Sequence, residues 1–266
     1  MAQVFAKIHP KEFFQKFFEK GVRPDNRKLD TFRKPKILKG HINSAIGSST
    51  VRLGNTSVVS GVQAEVVVPD LNKPKMGKIQ VNVELTDLSS SKHSTERVNE
   101  RSAAISEYIE STLINTGTIN LEELCIQENE KVWMIYLDIY TLNCDGNILD
   151  ACIISALAAL QNTTLDPVII VGENEESKEI QKEIILHNLP IPSSFGFFED
   201  YILADPTADE EEIINSKLTI ILGKNNKKSI CDIYKTGSYP ISRKTIAKCI
   251  ELAKNRSKYV IKQLKN

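Results

Sequence analysis

The amino-acid sequence predicts an α+β fold made of two β-sheet/helix halves that share one core, and three observations carry that prediction. Strands paired as hairpins and helices follow one another without the steady β-α alternation of a parallel sheet. The stretch Ile148 to Leu160 is apolar on every side, with four alanines among Ile and Leu. A helix of that kind must be covered all round and belongs in the middle of the protein. Finally, 266 residues can bury a large core as one domain or two subdomains. The best place for a seam is Asn162 to Glu179, so the expected halves are residues 1–165 and 166–266.

Pro10 to Lys20 (PKEFFQKFFEK) reads as a short amphipathic helix. Phe13/Phe17 and Phe14/Phe18 fall at i,i+4, Pro10 suits a first turn, and Gly21 suits a stop. Four phenylalanines on so short a helix predict docking onto the body of the fold. Arg23-Pro24-Asp25-Asn26-Arg27 is a charged turn that holds two arginines around a proline. From Phe32 the pattern turns to strands, with Ile37-Leu38 before a break. Ser48 to Leu53 and Ser57 to Val68 then flank Gly54-Asn55-Thr56, which predicts a β-hairpin. Asp70 to Lys78 is a polar loop carrying Lys73, Lys75 and Lys78, ahead of a strand around Ile79 to Leu85. Ser89 to Thr95 reads as an exposed Ser-rich link. Val98 to Asn115 has Val98, Ile105, Ile109 and Leu113 on one side of a helix, with Gly117 as its cap.

Lys131 to Asn143 is rich in β-branched and aromatic residues and long enough for an interior strand. Asn143-Cys144-Asp145-Gly146-Asn147 joins it to the apolar helix as a tight turn, where Gly146 or Asn147 can take the left-handed conformation. Val168 to Val171 predicts a short buried strand, and Gly172 to Lys182 a solvated charged excursion. Phe195 to Phe198 pairs with Tyr201 to Ala204 and ends in Asp205-Pro206-Thr207. The acidic run Asp209 to Glu212 reads as a solvated face or a helix start. A hairpin from Lys217 to Tyr234 turns near Asn225-Asn226. The chain closes on a helix from Ser242 to Leu264, with Ile246, Ile250, Ala253, Val260 and Leu264 inward and many lysines outward.

Composition narrows the classes of function. Basic and acidic side chains number 34 each, which argues against nucleic-acid binding through bulk charge but leaves room for a local patch. No stretch reaches the ~18 apolar residues of a membrane span, and the N-terminus lacks the pattern of a signal peptide. Five widely spaced cysteines without a C-x-x-C pair predict reduced thiols in an intracellular protein and no zinc site. Phosphate-binding glycine loops are absent, and the four histidines are too scattered to make a metal pair. What remains is a few arginines near the N-terminus, the lysine loop, and Asp145 and Asp150 between a core strand and a core helix. Carboxylates there can meet helix N-terminal amides, bind a cation, take part in catalysis, or simply cap and shape the turn.

Four segments together resemble the RNase PH family over nearly the whole chain. They are Arg23-Pro24-Asp25-Asn26-Arg27; Gly47-Ser48 through Arg52-Leu53-Gly54-Asn55-Thr56; Asp145-Gly146-Asn147 with Asp150-Ala151; and Asp205-Pro206-Thr207 with the glutamates after it. The D-G-N-x-x-D-A form, the W-x-x-Y-x-D strand and D-P-T-x-x-E-E are similar to the non-phosphorolytic branch found in the eukaryotic RNA exosome. The resemblance implies an RNase PH-like fold and places Asp145 on the aspartate beside the scissile phosphodiester in active members. Here Asn143-Cys144 and Asn147-Ile148-Leu149 replace the flanking Gln-Ala and Gly-Thr-Arg. The expected Gly-x-Arg phosphate loop reads Asn129-Glu130-Lys131-Val132-Trp133, without arginine. The resemblance therefore implies a fold kept for assembly with catalysis lost, Asp145 being a vestigial turn residue, and no cofactor or metal. It further implies a hetero-hexameric ring of RNase PH-like exosome subunits, cap RNA-binding subunits on one face, and RNA threading the central channel. The Asp70–Lys78 loop falls at the pore, which makes Lys73, Lys75 and Lys78 candidates for phosphate contacts. An active phosphate-dependent exoribonuclease is the alternative. The implied location is cytoplasm and nucleus, including the nucleolus, with no membrane partner.

Overall fold

The structure, a computed structural model, describes residues 9–85, 95–165, 168–171, 177–180, 184–223 and 230–265. In chain order the elements are α1 (Pro10–Phe18), β1 (Pro35–Lys39), β2 (Gly47–Leu53), β3 (Thr56–Val67), β4 (Lys78–Leu85) and α2 (Thr95–Asn115). A 3-10 turn (Leu121–Leu124) leads to β5 (Cys125–Gln127), β6 (Lys131–Asn143), α3 (Ile148–Gln161), β7 (Val168–Val171), β8 (Ser177–Ile180), β9 (Ile191–Phe198) and β10 (Tyr201–Ala204). Then come α4 (Ala208–Glu211), β11 (Ser216–Leu222), β12 (Ile230–Gly237) and α5 (Arg243–Lys265).

Two sheets organise these elements. The first runs β1-β2-β3-β6-β4, with β5 added along β6; the second runs β10-β9-β11-β12. Neighbours are antiparallel except β4 and β6, which are parallel and so need the long crossover that α2 supplies. The predicted hairpin forms in register, Leu53 opposite Thr56 and Val51 opposite Val58. Along β4, Ile79, Val81 and Val83 point inward and alternate with exposed residues, the period-2 pattern of a strand with one covered face.

The apolar helix α3 lies between the sheets, against β2 and β3 on one side and β9 on the other. Every residue from Ile148 to Leu160 is buried, which explains why no polar face is present in its sequence. Its serine is accommodated by bonds: the Ser60 hydroxyl donates to Ser155 Oγ at 2.6 Å, and the Ser49 hydroxyl reaches the Ser155 carbonyl at 2.8 Å. β9 is covered twice, by α3 and by α5, and all eight of its residues are buried.

The Phe-rich helix docks as predicted, but onto the second sheet. Phe14 and Phe18 are buried in a cluster with Phe198, Leu203 and Ile213, and the Phe18 ring sits edge-on to Phe198 at 5.7 Å. Residues 10–33 thus pack with the C-terminal strands while following strands build the first sheet. Three expectations shift. Lys78 opens β4 instead of closing the loop. Ser177–Ile180, expected in a solvated excursion, pairs with β7. The acidic run starts α4, but Glu210 is buried, not solvated. The Ser-rich link at 89–94, the other residues of the charged excursion outside β8, and the turn at Asn225-Asn226 lie outside the described residues.

Candidate functional site

The strand β6 is released into α3 by two consecutive left-handed residues, Gly146 at φ 73° and Asn147 at φ 53°. A Cβ on Gly146 would lie 2.5 Å from the Thr207 carbonyl carbon, so only glycine lets this turn sit against the start of α4. The β2–β3 turn holds it from the other side. Thr56 Oγ1 accepts from the Asp145 amide at 3.1 Å and donates to the Gly146 carbonyl at 2.8 Å.

The Asp145 side chain, 30% exposed, accepts from Asn55 Nδ2 at 3.2 Å and from the Ala208 amide at 3.5 Å. Arg33 Nη1 lies 3.7 Å from its carboxylate. An arginine therefore does stand beside Asp145, supplied from far away in the sequence. That arginine is heavily engaged. Its Nε and backbone amide donate to Asp205 Oδ2 at 2.8 and 2.9 Å, and its Nη2 donates to Asp205 Oδ1 at 2.9 Å. Two more of its protons reach the carbonyls of Asp145 and Gly146. A carboxylate held by a planar guanidinium in this way is positioned and neutralised at once.

Asp205 is fully buried and left-handed at φ 55°, a conformation that surrounding contacts must enforce. Burial by itself would raise its carboxyl. Hydrogen bonds and charge from Arg33, helped by Arg256 and Asn147, win and hold it well below the usual carboxylate range. Asn147 Nδ2 bridges Asp205 and Asp150 at 2.6 and 2.9 Å. Asp150 does not meet the helix amides; buried, it shapes the turn through Asn147 and points into the protein. Its carboxylate accepts from the Ser194 hydroxyl at 2.6 Å and amide at 3.1 Å, and pairs with Arg256 of α5. Arg256 also stacks over Phe32 at 4.4 Å.

The charged turn near the N-terminus joins the same knot. Arg23 is fully buried, donates to the carbonyls of Leu29 and Ala204 at 2.6 and 2.5 Å, and lies 3.3 Å from Glu210. Burial outweighs that pairing for both partners, lowering the guanidinium and raising the Glu210 carboxyl. Glu211 accepts from the Asn147 amide at 2.9 Å and from Lys217 at 2.6 Å. Burial raises its carboxyl and Lys217 overcomes that, leaving it lowered.

On the outer side of this knot is a cleft of about 240 Å³, lined among others by Arg101, Ile105, Tyr108, Leu149, Lys217 and Tyr234. Arg101 lies 3.9 Å from Glu211, and the Tyr108 and Tyr234 rings pack at 4.9 Å. The other sequence candidates are elsewhere. Lys78 pairs with Met134 in the parallel register of β4 and β6, while Asp145 follows the far end of β6. Nine strand residues separate those positions, roughly 30 Å. Lys73 and Lys75 are exposed on the loop before Lys78, and Lys75 lies 3.2 Å from Glu128. The structure thus brings Asp145 together with Arg33, Asp205 and Asn147, and leaves the three lysines apart. Among the described residues, no group of three or more His, Cys, Asp or Glu is arranged to hold a metal, and no helix is long and apolar enough to cross a membrane.

The chain is similar to known proteins in sequence and in overall structure. Residues 31–166 match the 3′ exoribonuclease family (RNase PH), domain 1, and residues 188–256 match its domain 2. The chain is 34% identical to exosome complex component rrp43 of Schizosaccharomyces pombe, covering 95% of this chain and 94% of that one. It is 32% identical to exosome complex component Rrp42 of Methanothermobacter thermautotrophicus, covering 91% of this chain and 89% of the relative. Among solved structures, a chain of the Archaeoglobus fulgidus exosome with RNA bound to the active site superposes with a TM-score of 0.84. It is 27% identical, over 98% of this chain and 99% of that one.

Proposed function

From the premise that this chain belongs to the RNase PH family, and within it to the exosome ring subunits, we propose that it is a non-catalytic member of the ring. It assembles with other RNase PH-like subunits, contacts a cap RNA-binding subunit, lines part of the RNA channel and supports 3′-to-5′ RNA processing and degradation, rRNA processing included. In the eukaryotic ring it takes the place of the eighth-numbered component. It works in the cytoplasm and the nucleus, including the nucleolus.

One observation carries the non-catalytic reading. The arginine beside Asp145 spends its donors on Asp205 and on the turn's own carbonyls, and its side chain is only 8% exposed. Asp145, Asp150 and Asp205 are all tied within the protein, holding segments of the fold together. Phosphoryl transfer relies on cations aimed at developing charge, and Arg33 is not available for that work. Lys73, Lys75 and Lys78 contact phosphates in the channel, an attraction that reads no sequence and weakens with salt. The alternative, a phosphate-dependent exoribonuclease, draws on the cleft lined by Arg101 and Lys217, both of which pair with Glu211.

The test is to purify the tagged chain from its own cells and assay both eluate and isolated chain for RNA degradation with and without phosphate. Co-purifying RNase PH-like and cap subunits, with an inert isolated chain, are expected. An isolated chain that releases nucleoside diphosphates only in the presence of phosphate would overturn the reading in favour of the alternative.

A further inference from the structure

The C-terminal helix carries the largest net charge of any described helix or strand. α5 has eight basic residues and one acidic, Glu251, a net +7 over 23 residues in a chain whose total is zero. Arg256 turns inward to Asp150 and is the helix's one ion pair among the described residues. The other seven cations are exposed. Lys244, Lys248, Lys258, Lys262 and Lys265 recur at spacings of three and four residues along one face, interrupted there by Glu251 and Asn255. From Lys244 to Lys265 the stripe is about 32 Å long. Tyr259, 39% exposed, stands beside it. The apolar face of the helix is occupied by the protein, with Cys249, Ala253, Val260 and Leu264 buried.

We propose that the exposed face of α5 is a second RNA-binding surface, separate from the lysine loop, that holds single-stranded RNA by its phosphates with a base stacked on Tyr259. The proposal rests on the ring reading only in taking RNA as the polyanion at hand. Cations grouped at both ends of one face complement a phosphate backbone, and an aromatic ring among them supplies the stacking platform typical of sequence-tolerant single-strand binding. The buried apolar face leaves nothing to insert into a lipid surface. An acidic protein would use the cations without needing the ring.

The test uses the full chain and a labelled single-stranded RNA of about 20 nucleotides, read by fluorescence anisotropy across a salt series. The variants are Lys244→Gln/Lys248→Gln/Lys258→Gln/Lys262→Gln, Tyr259→Ala, and Lys73→Gln/Lys75→Gln/Lys78→Gln. Each substituted residue is solvent-exposed, and equal melting temperatures establish that the folds are intact. The helix quadruple variant is expected to lose at least tenfold in affinity, with its log–log salt slope shallower by about 3, from ~0.7 per lost phosphate contact. Tyr259→Ala is expected to weaken binding at every salt concentration with the slope unchanged. Full affinity in the quadruple variant overturns the inference. If the loop variant then loses binding, the channel reading survives that failure. Loss in the helix variant with none in the loop variant supports the inference and removes the loop contacts instead. Displacement of the RNA by poly-glutamate at equal charge concentration, with Tyr259→Ala silent, assigns the face to an acidic protein and also overturns it.

Discussion

Replacing Arg33 with alanine removes four hydrogen bonds at once, two of them to the fully buried Asp205 carboxylate. The backbone amide of residue 33, which also donates to Asp205, survives the substitution. Asp205 then keeps the Arg33 amide, Asn147 and a long 3.5 Å contact to Arg27. Deleting one partner of a buried pair typically costs about 3–5 kcal/mol, because the other charge is left desolvated. In a protein of this size that corresponds to a melting temperature lower by on the order of 10 °C. The pH dependence fixes the cause. In the wild type the Asp205 carboxyl is depressed in the folded state. Its contribution is fully present above the unfolded value near 4 and is lost as pH falls through the folded value. In Arg33→Ala burial raises that carboxyl, so the penalty is greatest at pH 7 and relaxes as acid protonates the group. Urea denaturation of both proteins at pH 7 and pH 4.5 should show the gap narrowing. A loss below about 1 kcal/mol, or a gap of equal size at both pH values, would refute the idea that Arg33 is there to hold a buried anion. The double variant Arg33→Ala/Asp205→Ala should be more stable than the sum of its parts, since neither charge is then stranded.

Two further perturbations probe the frame around this knot. Gly146→Ala should destabilise by more than about 2 kcal/mol, since the new methyl meets the Thr207 backbone as well as a left-handed φ. Gly117→Ala, at φ 62° with nothing within 4 Å of the new methyl, is the matched control and should cost only about 1 kcal/mol in thermal melts. Phe18→Ala should cost about 3–5 kcal/mol and loosen α1 from Phe198 and Tyr201. Limited proteolysis should then cut first near Gly21, and cleavage that begins elsewhere would contradict that docking.

Local pattern and global placement were unequally legible in the sequence. The apolar circumference of Ile148–Leu160 predicts its own burial, and Gly54-Asn55 between alternating strands predicts the hairpin, because both signals lie within a dozen residues. Motif resemblance selected four segments, and in space all four converge on one knot through Arg23, Thr56, Asn147 and Asp205. Arg33 and Arg256 were missed. Each meets a carboxylate more than one hundred residues away, and spacing along a chain carries no trace of such a pairing. A signal for Arg33 did exist: it is the third arginine in eleven residues, after Arg23 and Arg27, near a chain region poor in local acids beyond Asp25 and Asp30. At Asp150 the first-turn position suggests a cap, while tertiary packing turns its carboxylate toward Ser194 and Arg256.

The pairing of Asp150 with Arg256 also sets a timetable for synthesis. The ribosome adds the arginine 106 residues after the aspartate, a delay of roughly 5–20 s at ordinary elongation rates. Throughout that interval the nascent polypeptide holds α3 and its sheet without the cation that makes burying Asp150 acceptable, and until Ile191–Phe198 has been added it also lacks the β9 surface that shields the helix's other flank. The first half therefore cannot mature as an independent co-translational unit. A greasy helix with a stranded acid waits for the tail of its own chain, and that waiting time is when chaperone protection matters most.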